Sequence, residues 1–160
     1  MCACLLVAIL LPVTSVQAEA AGYDANAAVA YAAAKGREVL GCLPERCILY
    51  VSGNIIKNVK SVVVPNTGGL KGLKAAAAAG IVVGKAELQM SVVAETKPEE
   101  IPGIQKYIDE HEIQIGRKEG DSALYIEVLL EGEGHSSRVI ISDFHTNIIL
   151  IEKDGQVIFE

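Results

Sequence analysis

The 160-residue chain is long enough for one domain, or for one domain and part of a second. Hydrophobic residues make up 51% of it, yet only 4% are aromatic and Trp is absent, so Val, Ile, Leu and Ala must build the core. The net charge of −6 argues against nonspecific nucleic-acid binding by the whole surface. We therefore expect no nucleic-acid partner.

Residues 1–18 imitate a secretory signal peptide, because the apolar run Leu5–Leu11 precedes Val16-Gln17-Ala18, which resembles a cleavage site. No Lys or Arg stands before the run, as signal peptides normally have, and the run is too short to span a bilayer. We expect a cytoplasmic protein without a membrane partner. A secreted protein cut after Ala18 is the alternative.

The cysteines do not indicate a metal site. Their spacing does not match a zinc ribbon, and no His lies near Cys2, Cys4, Cys42 or Cys47. A chain of this size and apolarity has no need of a disulfide scaffold. The sequence predicts buried or incidental thiols and no metal-ligating residues.

Helices are predicted in the first two thirds of the chain. The Ala-rich run Asp24–Leu40 can be capped by Asp24 or Asn26 and ended by Gly41. Asn54 to about Val63 has helical spacing. Two further helices are predicted, one capped by Thr67 and ended by Gly80, the other over Pro98–Glu110.

Strands are predicted elsewhere. Cys47–Val51 is a short β-type run, and alternation with period two begins at Glu112. The later runs are Leu124–Leu130, Val139–Ser142, Asn147–Ile151 and Gln156–Phe159. Asp154-Gly155 is typical of a two-residue hairpin turn. The expected class is α+β, with Ala-rich helices followed by an antiparallel β-meander.

The segment Ser52–Lys74 is positively charged, whereas the chain as a whole is negatively charged. No acidic residue occurs between Glu45 and Glu87, and the basic residues there give +6, while the rest of the chain carries −12. It lacks the Arg and aromatic residues of a strand-binding groove. A local positive field among Gly, Asn and Thr suits a small anionic ligand.

Two parts of this segment are candidate binding elements. Asn54, Lys57 and Asn58 would share one helix face that can orient a carboxylate together with a hydroxyl or amine; a solvated face is the alternative. The turn Pro65-Asn66-Thr67-Gly68-Gly69 offers free N–H groups at a predicted helix start, where glycines let a ligand approach; an ordinary Pro–Gly turn with an exposed lysine is equally compatible.

A third candidate lies in the second half of the chain. His145 and Thr146 stand at a predicted strand end among apolar neighbours, where an imidazole beside polar donors suits proton transfer or carboxylate capture. Such residues are also common at hairpin ends, and that alternative stays open.

Three segments resemble the serine dehydratase alpha-like family, which includes L-cysteine desulfidases. They occur in the same order: VAYAAAKGREVLG (Val29–Gly41), SGNIIKNVKSVVVPNTGGLKG (Ser52–Gly72) and HSSRVIISDFHTNIILIEKDG (His135–Gly155). The resemblance divides the chain into an altered apolar N-terminus, residues 1–22, and residues 23–160, which look like the N-terminal part of the family's domain and are incomplete relative to it.

The resemblance implies a [4Fe–4S] lyase that removes water or sulfide from serine or cysteine to give pyruvate and ammonia. It implies catalytic roles for Lys57 and His145. It also implies that the following residues line the substrate site: Ser52, Asn54, Asn58, Asn66, Thr67, Gly68 and Thr146.

This chain departs from that family at the cluster ligands. The family has a Gly-Cys-Thr-Glu-Pro motif where this chain has Gly22-Tyr23-Asp24-Ala25-Asn26, and phenolate is a poor substitute for thiolate. The family's other cluster cysteines lie in a C-terminal part that has no counterpart here. The expectation is a truncated lyase that holds no cluster alone. The alternative is a noncatalytic amino-acid-binding or assembly subunit, with a homo-oligomer or a partner chain completing it.

Overall fold

The computed structural model describes residues 13–160, with side-chain environments from residue 21 onward. Leu5–Leu11, Cys2 and Cys4 lie outside the described residues. The α+β class predicted from the sequence is confirmed. The helices are α1 (Val13–Leu40), α2 (Gly53–Val59), α3 (Gly72–Val83) and α4 (Ile101–Glu110). The strands are β1 (Arg46–Ser52), β2 (Glu112–Lys118), β3 (Tyr125–Gly132), β4 (His135–Ser142), β5 (Ile148–Lys153) and β6 (Gln156–Phe159).

Helix α1 passes through the middle of the described part of the molecule. It packs on β3 and β4 on one side and on α3 on the other, and residues 25–34 are buried. Small residues permit this close approach, because Gly36 faces Leu130 and Gly80 of α3 packs against the backbone of Ala30. Because its side chains are mostly Ala and other small residues, α1 fits closely between the sheet and α3.

The predicted end of α1 is confirmed and its predicted start is wrong. Gly41 follows Leu40 with φ 84°, the left-handed conformation that suits glycine after a helix. The helix begins at Val13, so Asp24 and Asn26 lie inside it and cap nothing. Among residues 13–160, α1 included, no helix combines the length and apolarity needed to cross a membrane.

Helix α3 differs from its prediction at both ends. The turn before it has positive φ at Asn66, Gly68 and Gly69, and Gly72, the first residue of α3, has φ 80°, so the helix starts no earlier than this residue. Gly80 lies within the helix, which continues to Val83 because position 80 serves packing against α1. By contrast, the predicted helix Pro98–Glu110 is confirmed as a 3-10 turn leading into α4.

The sheet is mixed, with strand order β2-β1-β3-β4-β5-β6. The antiparallel meander is confirmed for β3 to β6, including the Asp154-Gly155 turn, whose φ values are 49° and 78°. β2 is a strand, as predicted, but is not part of the meander. It pairs in parallel with β1, which lies between β2 and β3.

Candidate functional site

Three strand ends meet at one end of the sheet. The end of β1 lies beside the start of β3, with Val51 opposite Ile126, and the start of β3 lies beside the end of β4, with Tyr125 opposite Ser142. The segments that adjoin these strand ends therefore come together. Helices α1 and α2 face the same region.

A cleft of about 400 Å³ lies at this end of the sheet. Its walls come from α1, α2, the segment before β3 and the turn between β4 and β5. Its polar lining consists of Asp24, Asn54, Asn58, Asp143 and His145. Its apolar lining consists of Ala21, Ala25, Ile55, Ala123 and Leu124.

One wall is fixed by hydrogen bonds to the carbonyl oxygen of Ala123. The Ser52 hydroxyl donates to it at 3.2 Å, and the Asn54 amide nitrogen donates to it at 3.4 Å. Ser52 is 2% exposed, so its hydroxyl needs such a partner. Ser52 therefore supports the cleft from behind, whereas Asn54 also lines it.

Helix α2 presents only part of its predicted polar face to the cleft. Asn54 and Asn58, one helical turn apart, both line it, with Ile55 beside them. Lys57 is exposed and is not among the lining residues. The structure therefore separates the two amides from the lysine with which the sequence grouped them.

The turn between β4 and β5 holds Asp143 and His145 at the cleft. Asp143 has φ 70°, a conformation that Asp tolerates better than most residues, and its N–H donates to the carbonyl of Leu124 at 3.2 Å. The side-chain amide of Asn147 donates to the carbonyl of Ser142 at 3.0 Å and closes the turn. Thr146 is exposed and lies outside the lining.

The remaining candidates, Asn66, Thr67 and Gly68, do not line this cleft. The Asn66 amide donates to the carbonyls of residues 93 and 94, at 3.2 and 2.9 Å. The buried Thr67 hydroxyl donates to the carbonyl of Val64 at 2.7 Å, and Gly68 faces Ile101. The Asn66 amide therefore fastens the turn before α3 to residues 93 and 94, and the Thr67 hydroxyl closes the turn itself.

The charge of the cleft differs from the charge of the basic segment. Among the residues from 21 onward, its lining has two carboxylates and one imidazole, and no Lys or Arg belongs to it. The lysines at positions 57, 60, 71 and 74 are exposed, and Arg46 pairs with Glu112 and Glu131. The cleft lining therefore favours a ligand with a positive group over a simple anion.

Two polar lining residues, Asp24 and Asp143, were not predicted from the sequence. Asp143 stands two residues before His145 in the same strand-end turn, and that proximity is a usable signal. Asp24 gave no such signal, because an acidic residue before an Ala-rich run is typical of a helix cap.

The two described cysteines, Cys42 and Cys47, are free thiols that differ in burial. Cys47 is buried in the sheet core, and burial raises its pKa to about 12. Burial and then the nearby Glu133 and Glu45 raise the pKa of Cys42.

The chain is similar to curated proteins that are called UPF0597 proteins. It is 47% identical over 134 residues to UPF0597 protein DSY1109 of Desulfitobacterium hafniense, and 43% identical over 131 residues to the UPF0597 protein of Finegoldia magna. The match covers 82% and 81% of this chain, respectively, and 31% of each relative. No protein-family model matches the chain, and no solved structure matches it.

These matches correct the resemblance drawn from the sequence. The relatives are UPF0597 proteins rather than members of the serine dehydratase alpha-like family, and their name supports neither a lyase nor an L-cysteine desulfidase. The motifs cited for that family therefore do not identify it. Over most of its length, the chain is similar to about a third of each of these UPF0597 proteins.

Proposed function

We propose that the cleft between α1, α2 and the sheet binds a small amino acid. The supporting observation is that two carboxylates, Asp24 and Asp143, converge with two carboxamides, Asn54 and Asn58, on a space of about 400 Å³. Carboxylates pair with an ammonium group, and amide N–H groups donate to a carboxylate. A cleft of this size suits a small ligand.

The apolar lining limits the ligand's side chain. Ala21, Ala25 and Leu124 leave room beside the polar groups without adding charge, so a short side chain fits better than a charged one. His145 supplies a further donor or acceptor, depending on its tautomer. We assign binding alone to this site, with no chemical step.

Titration of the labelled protein with L-alanine and L-serine, followed by amide NMR, tests the proposal. We expect shifts at the cleft, around Asp24, Asn58 and Asp143. N-acetylalanine lacks the ammonium group and alaninamide lacks the carboxylate, so both should bind at least tenfold more weakly. No binding at millimolar amino acid, or shifts confined to Thr67–Lys71, would contradict the site.

Matched variants separate the cleft from the basic surface. Asp24→Asn and Asn58→Ala remove cleft groups and should each weaken binding about tenfold, the equivalent of about 1.4 kcal/mol. Lys57→Ala, on the same helix but outside the lining, should leave affinity unchanged. The reverse pattern, at equal melting temperatures, would place the ligand on the basic surface instead.

The cytoplasm remains the proposed compartment. The mass of the protein isolated from cells tests this. A mature chain cut after Ala18 would contradict it.

A further inference from the structure

Strand β6 forms one edge of the sheet and is apolar. It pairs with β5 along one side, and its other side faces no strand within the described residues. Val157, Ile158 and Phe159 are 50%, 59% and 51% exposed. Folded proteins usually protect an edge with Lys, Pro or a covering element, and β6 contains neither Lys nor Pro.

Within the part of the chain that the structure describes, both faces of β6 are open. Successive side chains of a strand point to opposite faces, so the exposure of Val157 and Ile158 alike leaves neither face covered. Helix α1 covers the sheet over β3, β4 and, less extensively, β5. The sheet thus extends beyond the helix layer that buries its inner side.

The relatives indicate what could cover this strand. This chain spans 31% of the Desulfitobacterium and Finegoldia proteins, so about two thirds of each polypeptide has no counterpart in it. We propose that β6 is a docking edge for that unmatched part of a UPF0597 polypeptide, which adds a strand beside β6 and packs apolar side chains on its two faces.

The area needed favours this occupant over a second copy of the chain. Stable interfaces bury about 1,200–2,000 Å² in total. A strand of four residues paired edge to edge with its own copy offers far less than that. A longer polypeptide can follow the edge and also cover both faces, which joins main-chain hydrogen bonding to apolar burial.

Hydrogen exchange on the intact Desulfitobacterium protein is the first test. The segment that corresponds to β6 should exchange at least a hundredfold more slowly there than β6 does in this chain alone. Equal exchange rates would overturn the proposal. This chain alone should sediment as a monomer, and a dimer whose β6 amides are protected would also overturn it, in favour of a second copy.

Coexpression of this chain with the unmatched part of the Desulfitobacterium protein is the second test. Ile158→Lys, at the docking edge, should weaken their association more than tenfold. Ile115→Lys is the matched control, because Ile115 is 40% exposed on β2, the opposite edge of the sheet. Both positions are exposed, so both variants should keep the parent melting temperature. Loss of association with Ile115→Lys alone would overturn the assignment to β6.

Discussion

Gly80 of α3 lies directly against the backbone carbonyl of Ala30 in α1, and a Cβ atom at position 80 would overlap that carbonyl. The atoms in this contact belong to the helix backbones, which cannot move aside as the end of a flexible side chain could. We therefore expect Gly80→Ala to lower the free energy of unfolding by about 1–3 kcal/mol, the usual cost of overpacking. Urea denaturation measures this change.

Gly103→Ala is the matched control, because it adds the same methyl group to helix α4. A Cβ atom there would lie 3.5 Å from Val82 Cγ1, an ordinary contact. We expect Gly103→Ala to stabilise the protein by up to about 1 kcal/mol, since Ala favours helix over Gly. Equal losses at both positions would show that the Gly80–Ala30 contact is not special.

Asn26 is a polar group buried within α1. It is 0% exposed, and within the described residues neither its amide nitrogen nor its amide oxygen has a hydrogen-bond partner. An unpaired buried polar group costs about 1–3 kcal/mol. Asn26→Leu keeps a similar shape and should raise the free energy of unfolding by an amount in that range.

Ser137 is the control for Asn26, since its buried hydroxyl donates to the Gly36 carbonyl at 2.8 Å. Ser137→Ala should cost about 1 kcal/mol. If Asn26→Leu destabilises the protein as well, the Asn26 amide has a partner in solution.

Glu127 and Arg138 form an ion pair on the sheet face away from α1. The Arg138 Nε lies 2.7 Å from Glu127 Oε1, and the Glu127 and Arg138 side chains are 10% and 33% exposed. Burial alone would lower the pKa of Arg138, but Glu127 and Glu152 raise it. Arg138→Met should cost about 2 kcal/mol, less than the ~3–5 for a fully buried pair.

The double variant Glu127→Leu/Arg138→Met should recover part of that loss, because the more buried carboxylate, Glu127, is removed together with Arg138 and only the partly buried Glu152 loses its cation. Thermal unfolding of the two single variants and the double variant forms a complete cycle. Additive losses would contradict a coupled pair.

Asp154 gives a pH-dependent prediction. The backbone N–H of Ser136 and then the His135 side chain hydrogen-bond its carboxylate and lower its pKa. A carboxylate with a lowered pKa stabilises the fold above its ordinary pKa, and this contribution disappears as pH falls through the lowered value. Asp154→Asn, which tolerates the φ of 49° at this turn, should therefore be less stable at pH 7 and match the parent protein in strong acid. A stability difference independent of pH would contradict this.

Local chemistry explains which elements could be predicted. Gly41 ends α1 and Asp154-Gly155 links β5 to β6 because each adopts a positive φ that the sequence itself favours. Thr67 failed as a predicted helix cap because its hydroxyl bonds the Val64 carbonyl within a turn. In the sequence, Gly80 looks like the end of a helix. In the structure it lies inside α3 and allows close contact with α1, and the sequence alone does not distinguish these two roles.

The cleft was harder to predict because its residues are distant in the chain. Asn54 and Asn58 follow from helical spacing, and His145 from its polar setting at a strand end. Asp24 joins them only because α1 crosses this end of the sheet, and no local pattern encodes that crossing. Strand pairing was equally hard to predict, because the alternating sequence indicates that β2 is a strand but does not indicate which strand it pairs with.

The position of β1 has a consequence for synthesis on the ribosome. It lies between β2 and β3, which are encoded only after residues 53–111. A nascent chain that has released β1 therefore carries an unpaired apolar strand until β2 emerges, and this strand lacks its second neighbour until Gly132 emerges. Chaperone binding to stalled nascent chains should accordingly persist until β3 is released and then fall sharply.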